Sequence, residues 1–235
     1  MAPEPLLHNH WIMKKSVFVI IATGFLAFMG CDSEGTEVAL EVSPESIVLY
    51  SEGTTQITTN VGDVAFVSND TYYATVDDSG LVTANKVGKT SINVYSKNNG
   101  ANRGVVIPVE VIPKYSIYPE IDGLIGKGLN DITRVMGSNY VTSTTSDGDM
   151  MYTYNQPTTY AAGIGFTLKN GICSSIIVAI PTSYTTMISK YLLERYRLAG
   201  MQNDHYFFVN HGESVLIALT VYSTSMIAVM YMENS

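Results

Sequence analysis

The chain has 235 residues, 13 of them basic and 21 acidic, for a formal net charge of -8. With 46% hydrophobic and 14% charged residues it carries enough apolar material for a packed core in one or two domains. Its acidity excludes a nucleic-acid partner, because contact with a phosphate backbone draws its affinity from clustered Lys and Arg.

Met13, Lys14 and Lys15 are followed by an apolar run from Val17 to Met29, then Gly30 and Cys31. That run is shorter than the roughly 20 residues a membrane-spanning helix needs, and it fits the apolar region of a secretory signal over residues 13–30. Residues 1–12 carry no Lys or Arg, and Met13 is the expected start, with the twelve as an upstream artefact. Phe28-Met29-Gly30-Cys31 resembles a bacterial lipobox, which implies that Cys31 is acylated and becomes the mature N-terminus. Phe28 departs from the Leu usual three residues before that cysteine. Without residues 1–30, and so without Lys14, Lys15 and Glu4, 11 basic and 20 acidic residues remain, a net charge of -9. Residues 31–37 form an acidic, polar tether, similar to the surface-export signal of some Gram-negative gut anaerobes. Together these features imply an outer-membrane lipoprotein facing outward, held in the membrane through its N-terminal lipid.

From residue 38 to 113, short β-branched and aromatic runs alternate with turn residues and no helical periodicity intervenes. The predicted strands are Val38 to Val42, Ile47 to Tyr50, Gln56 to Thr59, Val64 to Ser68, Tyr73 to Val76, Leu81 to Ala84, Thr90 to Tyr95 and Val105 to Val111, which together argue a β-sandwich. Ser79-Gly80 and Asn98-Asn99-Gly100 supply tight turns. Val76, Leu81 and Val82 are expected inside, about a turn at Asp77 to Gly80. Val42-Ser43-Pro44, Gly53-Thr54-Thr55-Gln56-Ile57, Phe66-Val67-Ser68-Asn69-Asp70, Ala74-Thr75-Val76-Asp77, Ser79 to Ala84 and Gly88 to Ile92, in that order, resemble a group 2 bacterial immunoglobulin-like (Big2) domain, with Phe66 where the family often carries Trp. The resemblance implies an immunoglobulin-like sandwich that serves as a spacer or adhesive module of cell-surface proteins, as in intimin-like proteins.

Residues 114–235 read differently. Leu129, Ile132, Val135 and Met136 recur at helical spacing and stop at Gly137. Strands follow at Met150 to Tyr154, Ala161 to Leu168 and Ile172 to Ile180, the last two joined by the hairpin signal Asn170-Gly171. Pro181-Thr182-Ser183 opens a second predicted helix that reaches Leu198 and ends at Gly200, with Thr182 or Ser183 as its cap. Strands at Tyr206 to Val209, Val215 to Tyr222 and Met226 to Met232 complete an α+β domain, an antiparallel sheet with two helices.

No pattern points to catalysis, and the expectation is a non-enzymatic protein with no catalytic residues, no metal site and no cofactor. Gly123 to Gly128 lacks the spacing and the hydroxyl of a phosphate loop. Asp204, His205, His211 and Glu213 lack a third nitrogen or sulfur donor for zinc and read as hairpin-surface residues, and no elbow surrounds a serine. Cys173, in an apolar strand, reads as a buried small residue. Twelve of the 16 tyrosines lie beyond residue 113. Among them Tyr152, Tyr154 and Tyr160, beside Thr, Ser and Asn, are the candidate ligand contacts, since a phenol offers a rigid ring and a hydrogen bond; packing in the core is the alternative. The expected partner is a host or bacterial surface protein, or a glycan. Adhesion or ligand binding leads, with an envelope assembly component or a glycan-capture accessory protein as alternatives. In the assembly reading Met226, Met230 and Met232 face a partner.

Overall fold

The computed structural model describes residues 38–97 and 104–234. The signal segment, Cys31, the tether and the Asn98-Asn99-Gly100 turn lie outside the described residues.

The first domain comprises β1 (Val42–Ser43), β2 (Ile47–Tyr50), β3 (Thr54–Gln56), β4 (Thr58–Thr59), β5 (Val64–Ser68), β6 (Ala74–Val76), β7 (Leu81–Ala84), β8 (Gly88–Ser96) and β9 (Val105–Ile112). A four-stranded sheet in the order β2-β9-β8-β5 faces a three-stranded sheet in the order β3-β7-β6, and β1 pairs with β4. Alternation along β8 and β9 turns Ile92, Val94, Ile107, Val109 and Val111 inward, where they meet Ile47, Ile57, Ala74, Val82 and Ala84. Phe66 is partly buried and packs against this core. The expected strand Gln56 to Thr59 is split, because Ile57 leaves the edge to bury its side chain and its N–H donates to the Gly80 carbonyl at 2.9 Å. Leu81 is exposed, not inside, since period-two alternation from buried Val82 turns it outward. The turn forms as expected: Asp77 Oδ1 accepts from the N–H groups of Ser79 and Leu81 at 2.9 Å, and Gly80 sits at φ 84°. The Ser79 hydroxyl and these amides hold the Asp77 carboxyl below the usual carboxylate value.

The second domain contains α1 (Leu129–Met136), β10 (Val141–Thr144), β11 (Met150–Asn155), β12 (Gly163–Lys169), β13 (Ile172–Pro181), α2 (Thr185–Leu193), β14 (Arg197–Gln202), β15 (His205–Val209), β16 (Val215–Val221) and β17 (Met226–Glu233). One antiparallel sheet runs β10-β11-β12-β13-β17-β16-β15-β14. Asn170 at φ 53° and Gly171 at φ 80° form the expected two-residue turn between β12 and β13, and Gly137 at φ 81° closes α1 with its N–H on the Thr133 carbonyl. Ile164, Phe166, Ile176, Val178, Ile217, Val229 and Tyr231 point to one face of the sheet, which packs against Ile132 of α1, Ile188, Tyr191 and Leu192 of α2, and the leading segment with Ile117, Tyr118 and Ile121.

Three departures from the expected elements stand out. The second helix ends at Leu193, and Leu198 and Gly200 belong to edge strand β14, paired with β15 through the turn at Asn203 and Asp204, both at positive φ. Leu198 satisfies helical and strand spacing alike, and pairing with β15 decides between them. Thr182 and Ser183 do not cap the helix; Thr182–Tyr184 forms a 3-10 turn with no side-chain cap bond. The unexpected β10 is wholly exposed, so its Val-Thr-Ser-Thr sequence carries no burial signal.

Candidate functional site

The candidate site is the seam between the two domains, and it begins at the end of α2. Glu194 and Arg195 are almost wholly buried, with side-chain exposures of 5% and 7%, and pair at 2.6 Å. One carboxylate oxygen of Glu194 accepts the Tyr115 N–H and the other the Lys114 N–H, each at 3.0 Å. A single carboxylate thereby fixes the two residues that follow β9 and join the domains. Arg195 also lies over the Tyr191 ring at 3.9 Å and donates to the Tyr191 carbonyl. Its Nε lies 3.4 Å from Glu120 Oε1, out of line for a hydrogen bond.

The sandwich reaches the same place with its loops. Val87 N–H donates to the Glu194 carbonyl at 2.8 Å, Lys86 Nζ to the Leu193 carbonyl, and the Tyr72 hydroxyl to the Arg195 carbonyl at 2.8 Å. These bonds take up carbonyls at the α2 terminus that a helix end leaves free. Burial, and next the neighbouring Tyr73, push the Tyr72 phenol up to about 12, so it stays a donor; burial pulls Lys86 down. His211, in the β15–β16 turn, stacks on Tyr72 with ring centroids 4.4 Å apart and places Nε2 2.6 Å from Asp70 Oδ2. A polar cavity of about 240 Å³ opens here, lined by Tyr72, Tyr73, Glu120, Asp122, Arg195 and His211. Beyond α2 lies an apolar groove of about 320 Å³ lined by Leu193, Leu198, Tyr206, Phe208 and Val221.

The residues singled out from sequence fall elsewhere. Tyr154 is 3% exposed, donates its hydroxyl to the Gly137 carbonyl at 2.8 Å, and packs edge-on against Phe166. Tyr152 packs partly buried beside Tyr140, and Tyr160 edge-on to Tyr184. Tyr152 and Tyr160 keep some exposed surface, whereas Tyr154 is built into the core. His205 lies in β15 and His211 in the seam, so the two imidazoles are not brought together as a ligand set. Among the described residues no three His, Cys, Asp or Glu side chains converge, and no hydroxyl or thiol hydrogen-bonds to His211. Cys173 is 1% exposed, and burial pushes its thiol up to about 11. The glycine-rich Gly123 to Gly128 is tied to β13, Gly126 N–H to the Cys173 carbonyl and Cys173 N–H to the Lys127 carbonyl, so the Gly126 amide is already bonded within the protein.

Sequence reading misses Glu194, Arg195 and His211 as seam residues. The adjacent Glu194-Arg195 pair at the end of an apolar helical stripe is the only signal that precedes the structure.

No curated protein matches the chain. Among solved structures, an extracellular protein containing a SCP domain from Bacillus anthracis str. Ames is similar over 53% of this chain at 14% identity and TM-score 0.31. This chain spans 50% of that protein's length. An intimin mutant of EHEC O157:H7 is similar over 58% of this chain and 90% of its own, at 17% identity and TM-score 0.27. Domains 5-6 of the S-layer protein SbsC are similar over 84% and 85%, at 14% identity and TM-score 0.26. At such scores these likenesses carry no argument. The family model for the bacterial Ig-like domain (group 2) matches residues 35–106, whose described part, 38–97 and 104–106, lies in the N-terminal sandwich.

Proposed function

We propose that this is a non-enzymatic, lipid-anchored cell-surface protein in which the Ig-like module stands between the anchor at Cys31 and a C-terminal domain that meets a partner. The observation that carries the reading is the coupling at the seam: a module of a recurrent bacterial family is fixed to the second domain by the Glu194 carboxylate, so that the module holds the second domain in a set orientation. The lipobox-like Phe28 to Cys31 and the acidic tether support the outward, outer-membrane placement. Tyr152 and Tyr160 remain the proposed ligand contacts, with a surface protein or a glycan as the partner.

Proteinase shaving of intact cells, read with an antibody to the second domain, tests the placement. Loss of the epitope while a periplasmic control survives is the expected result. Protection until lysis overturns it and leaves the second reading, an envelope assembly component. That reading is favoured by the face of the eight-stranded sheet opposite the helices, where Met230 and Met232 lie outside the core.

A further inference from the structure

We infer that the face of the eight-stranded sheet turned away from α1 and α2 is a dimer interface, and that its occupant is a second copy of this chain. The pairing register places Thr153, Gly165, Ile177, Met230, Ala218 and Phe207 side by side, one from each of β11, β12, β13, β17, β16 and β15. Their neighbours along each strand, such as Ile176, Val178, Val229 and Ile217, point into the core. Ile177, Met230 and Phe207 are partly exposed and pack on neither hydrophobic cluster of the protein. The central strands β13, β17 and β16 are therefore largely apolar on both faces, and only one face is covered among the described residues. An antiparallel sheet with one solvated face ordinarily alternates apolar with polar residues. Here the outer positions of β13 and β17 are Ile177, Ala179, Ala228 and Met230, which is the pattern of a sheet covered on both sides.

Two properties select a second copy. The row carries no charge, and charged side chains reach it only at its ends, Lys169 at the β12–β13 turn and Arg197 on β14, the latter held by Glu213. A protein of net charge -8 offers few uncharged surfaces on which two copies approach without repulsion, and a partner chosen by charge finds nothing to read on this one. Eight strands at about 4.8 Å spacing and about 20 Å of strand length give roughly 700 Å² in projection. That matches the roughly 800 Å² per partner of a standard stable interface.

The inference is independent of the display reading, since a dimer forms or fails on either side of the envelope. The test uses the full chain purified in detergent, its protein mass read by light scattering after chromatography, alongside Met230→Lys and Ile177→Lys. The wild type is expected to run as a dimer at about 10 μM. Each Lys variant, which buries an ammonium twice per two-fold interface, is expected to weaken association by about 100-fold or more with unchanged far-ultraviolet ellipticity. In intact cells Met230→Cys should cross-link to itself, while Val135→Cys on the exposed side of α1 should not. A monomeric wild type, a dimer indifferent to both Lys variants, or a Met230→Cys adduct only with another protein overturns the proposal. So does co-flotation with phosphatidylglycerol vesicles that Met230→Lys abolishes in a monomeric protein, which would make the face lipid-bound.

Discussion

Glu194 and Arg195 are adjacent in the chain and ion-paired at 2.6 Å, although neither side chain is more than 7% exposed. Burying a pair costs desolvation that their attraction offsets only when the remaining hydrogen-bonding capacity is also met. The two linker amides meet it for Glu194, and the Tyr191 ring and carbonyl do so in part for Arg195. The pair thus connects domain orientation to the fold of the second domain.

Removal of that carboxylate is expected to be severe. Glu194→Ala leaves a guanidinium buried without its partner and two amides unbonded, for a loss of about 3–5 kcal/mol. Calorimetry should show the single transition of the wild type replaced by two, the sandwich melting apart from the second domain.

Tyr118 and Tyr231 pair through their hydroxyls at 2.7 Å in the core of the second domain. Tyr231→Phe leaves the Tyr118 hydroxyl without that partner and should cost about 1–3 kcal/mol in denaturant unfolding. Replacing both with Phe should recover part of the loss, because the orphaned hydroxyl is then gone.

Alkali should unfold the protein through the same residues. Burial is the first cause that raises the phenols of Tyr118, Tyr191, Tyr196 and Tyr231 above the ordinary value of 10.0. The unfolded chain releases these protons first, so the stability they confer is complete below pH 10 and falls as pH rises beyond it. Tyrosinate absorbance and loss of ellipticity are expected to appear together above that pH. A tyrosinate signal from these four residues in the still-folded protein would contradict this.

Cys173 should be inert in the folded chain. With its thiol pushed up to about 11 and 1% exposure, it should resist maleimide at neutral pH and react once denaturant unfolds the domain. Mass spectrometry before and after denaturation reads the difference directly.

Gly88 has φ 148°, and a Cβ there would stand 2.2 Å from Tyr73 Cε1. Gly88→Ala should cost about 1–3 kcal/mol and displace Tyr73 from its edge-on contacts with Tyr72 and His211. Combining it with Tyr73→Ala should reduce the steric share of the cost and leave the backbone share.

The parts of the fold written in local chemistry were legible from sequence. Asn170-Gly171 specified its hairpin, Gly137 its helix end, and the even spacing of short strands the sandwich. Features that arise from pairing over long separations were not. Leu198 fitted two periodicities, and only β15 chose between them. Nothing in the sequence around Glu194 announces the linker amides, some 80 residues earlier, that it binds. His211 reads as a hairpin-surface residue and is one, half-exposed in the β15–β16 turn; the sequence does not announce its partner Asp70, 141 residues away in the other domain. Of the tyrosines offered as contacts, Tyr154 shows how an aromatic at strand spacing can be absorbed by the core.

The pairing of β2 with β9 has a mechanical meaning. The strands are parallel, joined from Ile47↔Val109 to Tyr50↔Ile112, and β9 leads into the linker that Glu194 holds. A tether pulling from the N-terminal side of β2 and a load on the second domain drag the two strands in opposite directions along their length. The bonds of the ladder then share the force at once, in shear, instead of opening one after another. A module loaded in this way yields late under tension, and in a chain anchored as proposed, a force on the second domain would be transmitted through the sandwich before the sandwich unravelled.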